Sequence, residues 1–177
     1  MKSIFPVPDS KIFAGILFKE ESVRNDAFTL LEKKVGKIIS STVPEPFTWT
    51  SYYKKEMGAP LLRQFVLFSK IFLVSRLPSI KLSTNAVEAL FFHPGSQNRQ
   101  INIDPGYLTL DKAVLATTKN FSHRVHLESG IFSELTYRNI GNTFTCLDWT
   151  YPEYRESGTV KLFNGWRDIL KKELAVR

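Results

Sequence analysis

A chain of 177 residues with 43% hydrophobic content and 14 phenylalanines carries enough apolar mass for one folded core, which excludes a disordered or low-complexity protein. Its 24 Lys and Arg against 17 Asp and Glu leave a formal charge of +7, a bias toward anionic partners such as nucleotides, RNA or an acidic protein face. Those basic residues are spread along the chain without a block, so charge alone selects no partner. Cys146 is the sole cysteine, so no internal disulfide forms and a reducing compartment is expected. The N-terminal MKSIFPVPDS has prolines at 6 and 8 and no long apolar run, so it does not read as a secretory signal. The apolar runs IFAGILF and IFLV fall far short of the roughly 20 residues a membrane helix needs. A soluble cytoplasmic protein is therefore expected, one domain over 1–177 with a core at about 11–104 and an extension at about 105–177.

In chain order, Lys11 to Lys19 reads as a buried strand, a short continuous apolar run bounded by charges. Ser22 stands where a helix N-cap is wanted, and Val23, Ala27, Phe28, Leu31 and Val35 recur at helical spacing before Gly36 stops the helix. Ile38 to Val43 returns as a strand, and FTWTSYY at 47–53 alternates as extended chain. A strand is expected over Arg63 to Phe68, an interruption at Pro78 and a helix over Ser83 to Phe92. PGSQNRQ at 94–100 is a loop, and Ile101 to Asp104 is a short strand running into an Asp104-Pro105-Gly106 turn.

Thr109 can cap a short helix with Leu110, Ala113 and Val114 inward, although VLATT is equally strand-like; helix is the expectation. Ser122 to Leu127 and Ile131 to Arg138 form a hairpin about Glu128-Ser129-Gly130. A further strand covers Phe144 to Trp149, and the final helix puts Leu162, Phe163, Trp166, Ile169, Leu170 and Leu174 on one face. The class is α+β with a largely antiparallel sheet. The order β-α-β-β-α-β over 11–104 is that of a ferredoxin-like core, extended by a hairpin, a strand and a C-terminal helix.

Polar chemistry concentrates between Ile101 and Arg138. Thr117, Thr118, Lys119, Ser122 and Arg124 can make an anion site: hydroxyls donate to phosphate oxygens, Lys supplies charge and Arg binds bidentately. The plainer alternative is a solvated loop whose hydroxyls cap local backbone groups. Asp104, at a strand end, and His123 are the candidate proton-handling residues, with Asp104, Glu134 or Asp148 placed to orient the imidazole. Against this stand a local turn role for Asp104 and a half-buried, hydrogen-bonded role for His123. Trp149, Tyr151 and Tyr154 with Arg155 form an aromatic and basic stretch able to stack a base, or equally to pack the route into the last helix. His123 and His126 are three apart and point to opposite faces of a strand, and Cys146 has no cysteine partner, so no metal site is expected. Lys54-Lys55-Glu56 approaches the same region or is a solvated charge run.

Taken together, FTWTSYYKKEMG at 47–58, IKLSTN at 80–85, NIDPGYL at 102–108, VLATTKNFSHRV at 114–125 and WTYPEYR at 149–155 resemble the uncharacterised prokaryotic family known as domain of unknown function 4416. The resemblance spans Lys11 to the last helix and carries no established activity with it, although some relatives have been labelled GTP-binding. That label has no direct support in this chain. There is no G-x-x-x-x-G-K-S/T loop, and a guanine-reading Thr-Lys-x-Asp would need an acid where Phe121 stands. The expectation is a protein that binds a phosphorylated small molecule such as a nucleotide through residues 102–124. Lys119 and Arg124 would neutralise the phosphate, Thr117 and Thr118 orient it, and Tyr151 and Tyr154 contribute aromatic contacts. Turnover is undecided and any cofactor is unknown. The rival is an RNA- or protein-binding module without enzymatic activity.

Overall fold

The computed structural model describes residue 4 and residues 6–176. The first strand, β1 (Asp9–Phe18), leads into α1 (Glu21–Lys34), followed by β2 (Ile38–Ser41), the short β3 (Glu45–Pro46), a single helical turn α2 (Lys54–Met57) and β4 (Leu62–Leu73). After a 3₁₀ turn come α3 (Leu77–Ala89), β5 (Ile101–Leu108), β6 (Lys112–Thr117), β7 (Val125–Glu128), β8 (Ile131–Ile140) and β9 (Thr143–Cys146). The chain closes with the short α4 (Pro152–Arg155) and α5 (Ser157–Ala175).

One nine-stranded sheet runs through both the 11–104 and the 105–177 segments, in the order β2-β4-β1-β5-β6-β8-β7, with β3 beside β4 and β9 beside β8. Every pairing is antiparallel. The architecture is therefore mixed α+β with a largely antiparallel sheet, as the sequence predicts. The ferredoxin-like core is not established as a separate unit, because the sheet continues without a break from β5 into β6 and β8.

β1 is apolar from Ile12 to Phe18 because it is central, paired to β4 on one side and β5 on the other. Its Ile12, Ala14, Ile16 and Phe18 face α1 and α3, meeting Ala27, Leu31, Ile80 and Val87. Phe13 points the other way and packs with Phe65, Leu67 and the α5 residues Phe163, Trp166 and Leu170. The stripe expected for the last helix is the one that is buried, with Leu162, Ile169 and Leu174 at its margin.

Several local expectations are corrected. The first helix is capped at Glu20 with no side-chain bond, not at Ser22, and it ends at Gly36, whose φ of 132° a side chain would resist. Segment 47–53 is not a strand but an irregular connection into α2, with Phe47 and Tyr53 packed against Leu17 of the sheet and Trp49 and Tyr52 exposed. β4 runs on to Leu73, well past Phe68, and Pro78 opens α3 rather than interrupting the chain. A proline in the first helical turn lacks only an N–H that has no intrahelical partner.

No turn forms at Asp104-Pro105-Gly106; β5 passes straight through it. The groups of Ile103 that point away from β1 bond to α3, so the N–H missing at Pro105 falls on the same open side, before β6 begins to pair at Gly106. Segment 112–117 is a strand, not a helix, since Ala113 to Ala116 are all buried between β5 and β8. Thr109 does cap a turn, its hydroxyl accepting from the N–H groups of Asp111 (3.2 Å) and Lys112 (3.2 Å), but that turn joins two strands. The β7–β8 hairpin forms about Ser129 and Gly130, both at positive φ (52° and 73°), although β7 starts at Val125 rather than Ser122. β9 ends at Cys146, short of Trp149, where Leu147 N–H turns to the Thr150 hydroxyl (2.8 Å).

A cavity where the sheet splays

β5 and β6 pair only between Gly106–Leu108 and Ala113–Leu115; on the N-terminal side of Gly106 the two strands part. Side chains of α3 reach into the gap and supply the missing ladder partners. Glu88 Oε1 accepts from the Ile103 N–H, and Lys81 donates to the Ile103 carbonyl (2.9 Å) and to Asp104 Oδ1 (3.2 Å). Burial raises the Glu88 carboxyl above its ordinary pKa, with the Lys81 charge opposing the shift.

The gap opens into a cavity of about 670 Å³ on the sheet face that α5 leaves bare, within the size range of small-molecule sites. Its floor is made of cross-strand neighbours, which share a face: Leu17 with Arg63, Gly15 with Phe65 and Asp104, and Leu115 with Glu134. Gly15 is required there, because a Cβ would stand 2.8 Å from the Tyr154 hydroxyl folded over it. The 47–53 connection and the 151–154 segment form the sides.

Along one wall runs a chain of polar contacts. Arg99 grips Glu56 bidentately (2.6 and 2.9 Å) and donates to Asn102 Oδ1 (2.6 Å), and Asn102 donates to Asp104 Oδ2 (2.7 Å). The hydrogen bond from Arg99 holds the Glu56 carboxyl below the usual range. Both oxygens of Asp104 are thus fixed, and its charge adds to burial in raising the Tyr53, Tyr151, Tyr154 and Glu153 pKa values. Glu153 is raised chiefly by burial, so this carboxyl keeps its proton to a higher pH than a free one.

On the opposite wall Arg124 donates from Nε to Glu134 Oε2 (2.9 Å), from Nη1 to the Lys119 carbonyl (3.1 Å) and from Nη2 to the Tyr151 hydroxyl (2.8 Å). Lys119 Nζ lies 4.1 Å from the Tyr52 ring centroid and donates to the Tyr52 hydroxyl (2.9 Å). The Lys119 N–H bonds the Thr117 hydroxyl oxygen (3.2 Å), which leaves the hydroxyl proton of Thr117 available.

Asp104, Thr117, Thr118, Lys119, Arg124, Tyr151 and Tyr154 all line this cavity. Two expected site residues do not. Ser122 is exposed on the turn before β7 and is not part of the lining. His123 stands behind the wall, its ring stacked against Phe121 (6.1 Å) and Trp149 (5.5 Å), with Nε2 3.1 Å from Glu134 Oε2. Asp104, Lys119 and Arg124 thus share one concavity, whereas His123, by its position on the turn, is directed toward Trp149. The Arg124 fork assigned to a phosphate is occupied inside the protein.

Sequence reasoning did not single out Lys81, Glu88, Arg99, Asn102 or Tyr52. Lys81, Asn85 and Glu88 fall at i, i+4 and i+7, a polar stripe on one helix face that could have been read as facing a site. Among the described residues no group of three or more His, Cys, Asp or Glu is placed to hold a metal ion, and no helix is long and apolar enough to cross a membrane.

These features define an α+β protein with a polar and aromatic cavity set into a splayed antiparallel sheet. The chain belongs to the family described as Domain of unknown function (DUF4416), whose profile matches residues 8–169. No curated protein and no solved structure matches it.

Proposed function

We propose that the cavity binds a phosphorylated small molecule, with nucleotides the leading class. The observation that carries this reading is the state of Lys119. Arg63, Lys81, Arg99 and Arg124 each hold a carboxylate in an ion pair, whereas among the described residues Lys119 makes no ion pair; it rests on Tyr52 and feels the Glu56 charge only from beyond contact. A phosphate arriving there meets an ammonium free to exchange a neutral hydroxyl for a charge-assisted bond, with the Thr117 and Thr118 hydroxyls alongside. The flat walls offered by Tyr52, Phe121 and Tyr151 suit a ring. Arg124 serves as a strut that fixes Lys119 and Tyr151 in place. Should turnover occur, Asp104 and Glu153 are the cavity groups suited to exchange protons, one held as an acceptor and one keeping its proton longer. His123 acts only through Glu134 in that case.

A thermal-shift screen of nucleoside phosphates, sugar phosphates and inorganic phosphate tests this. At a hundred times Kd a ligand adds about 2.7 kcal/mol, a rise of roughly 5–10 °C for a domain of this size. Lys119→Ala is expected to weaken any hit about tenfold while leaving the unliganded midpoint within about 2 °C, since the side chain is exposed. Hits that ignore Lys119→Ala, or no hit at all, count against the reading.

The exposed rings of Phe121 and Trp149, on either hand of a half-buried His123, favour a second reading, a surface that stacks the bases of single-stranded RNA. It separates from the first by salt: RNA affinity falls log-linearly and steeply, while a compact site anchored on one lysine responds weakly.

A further inference from the structure

Glu134 occupies the middle of β8, 1% exposed, and lines the cavity on the same sheet face as its cross-strand neighbour Leu115. Its two oxygens are treated unequally. Oε2 takes the Arg124 Nε–H at 2.9 Å and stands 3.1 Å from His123 Nε2. Oε1 is buried and has no hydrogen-bond partner among the described residues. Arg124 does not cover it: the Nε–H goes to Oε2, the terminal nitrogens donate to the Lys119 carbonyl and the Tyr151 hydroxyl, and no N–H of the guanidinium bonds Oε1. A strut that served only to hold Arg124 and His123 would use Oε2 and place the other oxygen in solvent or against a donor of the protein. Buried carboxylate oxygens without a donor are costly and uncommon.

We propose that Glu134 is a ligand-binding residue whose Oε1 accepts a hydrogen bond from an N–H donor on a flat ring, so that the site takes an amino-bearing ring carrying an anionic group. The proposal rests on the reading of the cavity as a site for a phosphorylated molecule and adds which end of that molecule goes where. The Arg124 guanidinium already offsets the Glu134 charge, so a neutral donor suffices and no ammonium is needed. A ring nitrogen or carbonyl lone pair at the same place faces a carboxylate oxygen and is rejected, which makes Glu134 a specificity determinant. Around it the wall is the Leu115 side chain and the Phe121 and Tyr151 rings, surfaces that accept the face of a ring better than a hydrated sugar.

The test is calorimetric titration of wild type and Glu134→Gln with adenosine monophosphate and with purine riboside monophosphate, which lacks only the exocyclic amino group. Adenosine and purine riboside serve as the phosphate-free pair. Wild type is expected to prefer the amino-bearing monophosphate by about tenfold or more, the size of one hydrogen bond to a charged group. In Glu134→Gln the amide oxygen keeps the Arg124 contact and the amide N–H₂ replaces Oε1, so the preference should vanish or reverse. Equal binding of the two monophosphates to wild type overturns the proposal, as does a preference that survives in Glu134→Gln. The arms also separate it from the phosphate reading. If adenosine binds as well as its monophosphate, with the same Glu134-dependent preference, the phosphate reading fails and the role of Glu134 stands. If both monophosphates bind equally and both depend on Lys119, the reverse holds. If none of the four binds, both fall. Where Glu134→Gln does not give the wild-type circular dichroism spectrum, the wild-type preference decides, a ratio near one again overturning the proposal.

Discussion

Replacing Lys81 by methionine removes an ammonium from the seam where the sheet parts while keeping nearly the same length of side chain. Lys81 is 4% exposed and donates to the Ile103 carbonyl (2.9 Å) and Asp104 (3.2 Å). In Lys81→Met the Ile103 carbonyl is left buried without a donor, which costs about 1–3 kcal/mol. The Asp104 side chain is 39% exposed, so loss of that ion pair adds at most about 1 kcal/mol. The sum, roughly 1–4 kcal/mol, corresponds to a fall in midpoint of about 2–16 °C for a domain of this size. Urea unfolding followed by circular dichroism and by tryptophan fluorescence measures it directly. The variant also removes the charge that favours the Glu88 carboxylate against burial, so adding Glu88→Gln should recover part of the loss. A glutamine still accepts from the Ile103 N–H. A loss under about 1 kcal/mol, or strictly additive effects of the two changes, would refute the account of α3 as a substitute for the missing β-ladder.

Other expectations are independent of that seam. Trp166→Ala should cost about 3–5 kcal/mol in urea unfolding, since the ring is 2% exposed among Phe13 and Phe163 and its N–H bonds Ser40 Oγ at 2.9 Å; under 1 kcal/mol would place that face outside the core. Glu56 has a depressed carboxyl pKa, so its contribution to stability is present above the unfolded value and is lost as pH falls through the acid range. Glu56→Gln should therefore flatten the acid limb of the stability profile, and an unchanged limb would contradict the Arg99 pairing. Gly15→Ala should lower the midpoint and weaken any ligand, because the new methyl meets the Tyr154 hydroxyl at the cavity floor.

Much of the fold was legible because its signals are local. The apolar run of β1, the helical spacing of α1 and α5 and the Ser129-Gly130 turn each follow from a few adjacent residues. The errors arose where a local signal was overruled by what lay across from it. Asp104-Pro105-Gly106 has the composition of a turn, yet the proline lies on the open side of β5 and Gly106 is needed because a Cβ would overlap the Phe13 ring. Thr109 acts as a cap, but for a strand turn. Asp104, Thr117, Thr118, Lys119, Arg124, Tyr151 and Tyr154 were singled out as polar or aromatic groups at the ends of predicted elements, and the fold brings them to one cavity. Lys81, Glu88 and Arg99 were missed because their role depends on the parting of β5 from β6, which no short window of sequence encodes. Glu134 entered the sequence reading only as one of three acids able to orient His123, and it is the one of the three that stands beside that ring (3.1 Å).

Amide chemical-shift mapping during titration with adenosine monophosphate tests the central claim most directly. The account predicts saturable shifts confined to the cavity lining, at Thr117 to Lys119, Asp104, Glu134 and Tyr151, that disappear in Lys119→Ala. Shifts that instead spread over the exposed Val125, Leu127 and Trp149 surface, or no saturable shifts in the cavity, would contradict it.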